Sequence, residues 1–78
     1  MSDKPTFLQI RVANNLSLEA IAEKANVPIE DVYYLEAGVP YPQEVIDKIL
    51  GALSELTGEH YTMNNVESIY ALEGGPHE

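Results

Sequence analysis

Between Leu16 and Gly38 the chain reads LSLEAIAEKANVPIEDVYYLEAG, with apolar positions returning every three or four residues and a single break in the middle. Ile21, Ala22 and Ala25 fall on one face of a helix, and Val32 and Leu35 on one face of another. Ser17 is placed to cap the first, because its hydroxyl can accept an orphan backbone N–H. Asn26 stands at the break, where the chain must enter the left-handed region that Asn tolerates better than most side chains. Val27 is suited to plug the corner, and Pro28 to open the second helix, where a missing N–H costs nothing. Glu30 and Asp31 then sit against a positive helix N-terminus. Gly38 closes the segment as a left-handed C′ residue. The pattern predicts helices over 17–25 and 28–37, joined by a tight corner.

The same reading extends outward. Phe7 and Ile10, three apart, put the buried side of a helix over 6–14, with Asp3 and Pro5 suited to its start and Leu8 and Val12 facing away. Val45, Ile46, Ile49, Leu50, Leu53 and Leu56 form a wide apolar stripe over 43–56, ended by Thr57-Gly58. Thr62 followed by Met63, Val66, Ile69 and Tyr70 predicts a fifth helix over 62–71. Residues 72–78, LEGGPHE, read as a flexible tail. The expectation is one domain over 1–78, its folded core at 6–71, all-α with five helices.

Length and composition narrow the function classes. A chain of 78 residues has a small core and no room for an enclosed catalytic cleft. No Cys is present, so neither disulfides nor thiolate metal sites hold it together. His60 and His77 lie in a loop and the tail without companions at ligand spacing, and Gly74-Gly75 has no strand before it nor Lys after it. No enzyme activity, cofactor or metal is therefore expected. No run nears the roughly 18 apolar residues of a membrane span. The opening MSDKPT lacks the basic and apolar parts of a signal peptide, so a cytoplasmic protein is expected. Against thirteen Asp and Glu stand only four Lys and Arg, a formal net charge of −9, which repels phosphate at long range.

The segment resembles the Cro/CI-type, or XRE, helix-turn-helix family. The likeness rests on Leu16-Ser17, Ala22, Asn26-Val27-Pro28, Val32, Glu36 and Gly38. Ile10-Arg11 stands for the usual Leu-Arg upstream, and Asn15 for the usual Gly. Pro42, Val45, Ile49, Ala52 and Leu53 follow the fourth-helix pattern, so the likeness runs over about residues 6 to 56. It implies a lambda-repressor-like domain. It also implies an ion pair between Arg11 and Glu36, and a terminal region that either supports a homodimer or closes the core.

By that resemblance the DNA-reading positions are Pro28, Ile29, Glu30, Asp31 and Tyr34, with Leu18 where the family commonly has Gln. A helix-turn-helix reads bases from the start of its second helix while flanking groups hold phosphates. Within residues 16 to 42 the one base is Lys24, against Glu19, Glu23, Glu30, Asp31 and Glu36. The loop VPYPQ, which in the family often carries phosphate-touching Lys or Arg, has none. Affinity for DNA rests largely on neutralised phosphates. Leu18, Ile29 and Tyr34 instead offer an apolar centre with an acidic rim at Glu30 and Asp31, the composition of a protein contact. The expectation is a small prokaryotic, phage or mobile-element transcription regulator of antiactivator or antirepressor kind. It would grip a protein partner, such as a basic DNA-binding regulator, and meet DNA only weakly or with that partner. The alternative is a dimeric, sequence-specific operator-binding regulator.

Overall fold

The computed structural model describes residues 4–72. Four helices follow one another: α1 (Phe7–Ala13), α2 (Leu18–Ala25), α3 (Ile29–Glu36) and α4 (Gln43–Thr57). Among the described residues there is no strand, only two single parallel bridge pairs, Thr6 with Glu67 and Tyr41 with Ala71. No described helix is long and apolar enough to cross a membrane.

Local chemistry sets the helix ends. At α1 the Thr6 hydroxyl accepts the Gln9 amide at 3.1 Å while the Gln9 side chain accepts the Thr6 amide at 2.9 Å, a reciprocal capping box. At α2 the Ser17 hydroxyl accepts the Ala20 amide at 3.0 Å. The first three helices then end alike, each on a residue with positive φ: Asn15 at 56°, Asn26 at 61° and Gly38 at 97°. Paired bonds from that residue's amide and the one after it recover carbonyls that a helix end leaves orphaned. Leu16 donates to Arg11 and Asn15 to Val12; Val27 to Ala22 and Asn26 to Glu23; Val39 to Tyr34 and Gly38 to Leu35. Three tight reversals in thirty-odd residues fold the helices onto one another, α2 packing against both α3 and α4.

The core collects the residues that the periodicity picked out. Phe7, Ile10, Ile21, Ala22, Ala25, Val32, Leu35, Ile46, Ile49, Leu50, Ala52 and Leu53 are buried, and Leu16, Val27 and Val45 pack on its margin. Each fully buried aliphatic or aromatic side chain contributes roughly 1.5–3 kcal/mol relative to exposure. Arg11 crosses the α1–α3 junction. Its Nε lies 2.6 Å from Glu36 Oε2, Nη2 donates to Glu36 Oε1 at 3.2 Å, and Nη1 donates to the Leu16 carbonyl at 3.2 Å. The guanidinium thus fastens α1, the α1–α2 turn and the end of α3 together.

Three expectations are corrected. The fifth helix over 62–71 does not form, and the described chain has four helices. The Asn65 side chain takes the Thr62 amide at 2.8 Å and donates to the His60 carbonyl at 3.0 Å, so local side-chain bonds hold a turn instead. Ser68 then enters the left-handed region at φ 66°, where no helix continues. Val66 and Ile69 are buried all the same. Leu56, expected in the α4 stripe, is exposed. Leu72, assigned to the tail, is anchored by its amide to the Tyr41 carbonyl at 2.8 Å. The rest of the expected tail, and Asp3, lie outside the described residues; Thr6 is the residue that caps α1.

The segment after α4 is a strap. The Glu67 amide donates to the Pro5 carbonyl at 2.8 Å, and the Tyr41 amide to the Tyr70 carbonyl at 3.0 Å. Ser54, inside α4, accepts the Tyr61 amide at 2.8 Å through its hydroxyl. The strap thereby runs from α4 past the start of α1 to the α3–α4 loop, and Val66 and Ile69 seal the core beneath it.

Candidate functional site

The outward side of α3 follows from what its inward side must do. Val32 and Leu35 are fully buried, so the positions between them turn to solvent. Ile29 is 42% exposed, Tyr33 53% and Tyr34 45%. The two tyrosine rings meet edge to face with centroids 5.3 Å apart. Glu30 is exposed beside them.

Two of the residues expected on this face behave differently. Leu18, the first residue of α2, is half-buried and packs on the core margin, where its apolar side chain loses contact with water. Asp31 is half-buried and accepts a hydrogen bond from the Tyr41 hydroxyl at 3.0 Å. That bond ties the α3–α4 loop to the first turn of α3. It places Tyr41 where loss of hydration, then the Asp31 hydrogen bond and charge, and then Tyr34 and Glu30 raise its hydroxyl above the ordinary phenol value. Ile29, Glu30 and Tyr34 thus remain as the accessible part of the expected set, and Asp31 forms its floor.

Cations are accounted for one by one. Arg11 is committed to Glu36, with side-chain exposures of 20% and 12%. Lys24 leans away to Glu55 of α4, its Nζ 3.1 Å from the carboxylate. Lys48 belongs to α4 and Lys4 precedes α1. Neither α3 nor the loop after it carries a Lys, Arg or His. Among the described residues no three or more of His, Cys, Asp and Glu are grouped so as to hold a metal ion.

Sequence reasoning missed Tyr41 and the strap. The Tyr41–Asp31 bond joins a loop to a helix turn, and no spacing rule announces such a pair. The capping box of α1 was legible as Thr6-x-x-Gln9, a threonine followed three residues on by a glutamine. Tyr70 comes to the end of α3 through the strap: a side-chain carbon built on Gly38 would lie 3.8 Å from its ring. Comparison with family models, with curated proteins and with solved structures finds no match to this chain.

Proposed function

We propose that this protein is a small transcription regulator built on a Cro/CI-like helix-turn-helix scaffold, and that it acts by gripping another protein, as an antiactivator or antirepressor does. The observation that carries this reading is the outward face of α3. Where a DNA reader needs donors and flanking cations, it presents Ile29, Glu30, Tyr33 and Tyr34, and the nearest lysine in sequence, Lys24, pairs at the surface with Glu55 of α4. A net charge of −9 opposes approach to a phosphate backbone and favours a basic partner. Tyr is also among the side chains that dominate the centres of protein interfaces.

The test has two arms. At near-physiological salt, anisotropy with random and with selected duplex DNA should give affinity weaker than the roughly 10⁻⁴ to 10⁻⁶ M usual for non-specific binders. Capture from the native host should retain a protein that Ile29→Glu releases while the melt of the variant stays close to that of the parent. Micromolar duplex binding with a steep negative salt slope would overturn the reading. It would support the second one, operator binding as a dimer, which the helix–corner–helix arrangement of α2 and α3 and the exposed first turn of α3 favour.

A further inference from the structure

Nine large apolar side chains are exposed among the described residues, and six of them, Ile29, Tyr33, Tyr34, Val39, Tyr70 and Leu72, come from two short segments. Those segments, 29–41 and 67–72, are fastened to each other. The Tyr41 amide donates to the Tyr70 carbonyl and the Leu72 amide to the Tyr41 carbonyl, while the Tyr41 hydroxyl reaches back to Asp31 on α3. The Tyr70 ring lies against Gly38 at the end of α3. Tyr41 is the hinge pin: its backbone holds the strap and its side chain holds the helix. Neither segment contains a Lys, Arg or His, and Glu30 and Asp31 stand among the tyrosines.

We propose that α3 and the strap form one composite docking surface, and that its occupant is a cationic amphipathic segment of a partner protein, arginines and lysines alternating with apolar side chains. This rests on the protein-contact reading and adds to it the second half of the surface and the chemistry of what it holds. Tyrosine faces accept a guanidinium or ammonium group, and neighbouring carboxylates complete its coordination. Ile29, Val39 and Leu72 call for apolar side chains from the same partner. A second copy of this chain is a poor occupant, since two surfaces of the same sign and two net charges of −9 would be brought together. Duplex DNA is disfavoured for the same reason.

The experiment is a titration of the isotopically labelled protein with a synthetic peptide carrying Arg and Leu at helical spacing, followed by amide shifts. A peptide of equal charge built from Arg, Gly and Ser is run beside it. The expected result is shifts concentrated in 29–41 and 67–72, tighter binding of the Arg-Leu peptide, and tenfold or greater weakening by Tyr34→Ser, by Tyr70→Ser and by Leu72→Ser. Leu8→Ser, equally exposed but on α1, should leave binding unchanged. If Tyr34→Ser weakens binding while Tyr70→Ser and Leu72→Ser do not, the composite surface is wrong and the contact on α3 stands. If none of the three matters, or if shifts spread over the acidic faces of α2 and α4, both the composite surface and the contact on α3 are overturned. Shifts in these segments that grow with protein concentration alone would name a second copy as the occupant and overturn the cationic partner.

Discussion

Replacing Arg11 by Met asks how much the junction of α1 and α3 depends on one guanidinium. The side chain makes two bonds to the Glu36 carboxylate and one to the Leu16 carbonyl. Removing it leaves a carboxylate whose side chain is only 12% exposed without its cation. A surface pair contributes about 0–1 kcal/mol, whereas breaking a buried one costs about 3–5 kcal/mol. Exposures of 20% and 12% place this pair nearer the buried limit. The expected loss is about 2–3 kcal/mol, which for a domain of this size lowers Tm by about 10–20 °C. Urea and thermal melts followed by circular dichroism at several protein concentrations measure it. The double variant Arg11→Met with Glu36→Met decides the cause, because replacing both partners by apolar groups is often nearly neutral. It should be more stable than Arg11→Met alone. A loss under about 1 kcal/mol, or a double variant no better than the single one, would refute the reasoning that the cost lies in an uncompensated carboxylate.

Gly38→Val should destabilise the domain by about 1–2 kcal/mol, because φ of 97° suits no β-branched residue; an unchanged melt would show that the end of α3 rearranges freely. A Cβ at this position would meet the Tyr70 ring at 3.8 Å, an ordinary contact, so the backbone strain is present whatever the space around the side chain. Gly51→Ala should act in the opposite sense, raising stability by about 0.5–1 kcal/mol, since Gly51 sits inside α4 with open space where a Cβ would go. Tyr41 has a raised hydroxyl pKa, so folding favours its neutral form. That contribution is complete below the ordinary phenol value of about 10 and is lost as pH rises through the raised folded value. Denaturant melts from about pH 8 upward should therefore show stability falling above about pH 10, with Tyr41→Phe reducing that alkaline slope.

What could be read from the sequence was what is local or periodic. The four formed helices follow from apolar spacing. The caps follow from Ser17, Asn26 and Gly38, whose side chains, or lack of one, admit few other backbone roles. The exposure of Ile29, Glu30 and Tyr34 could be read too, because Val32 and Leu35 fix which side of α3 turns inward; that of Tyr33, expected against the core edge, could not. The failures share a cause. Met63, Val66, Ile69 and Tyr70 fit a helical face, yet Val66 and Ile69 reach the core equally well from a turn and a strap. The side chains of Thr62 and Asn65 offered the backbone local partners that compete with a helix, and that competition leaves no mark in the hydrophobic pattern. Leu18 went to the core margin, which the apolar spacing alone does not decide for a residue at a helix start. The bond between Tyr41 and Asp31 depends on the loop path, which spacing does not encode.

The strap also imposes an order of assembly. The helices from Phe7 to Glu36 meet through short loops, and contacts of that kind form quickly. The Glu67–Pro5 and Leu72–Tyr41 bonds join parts of the chain far apart in sequence, so the closure entropy of a long loop must be met before they form. They are the last contacts expected in folding, and as peripheral backbone bonds they are the first expected to open in the native state. Tyr70 and Leu72, two of the six exposed apolar side chains of that surface, are thus carried by the least persistent part of the fold, and the time the strap spends closed sets how often the surface is whole.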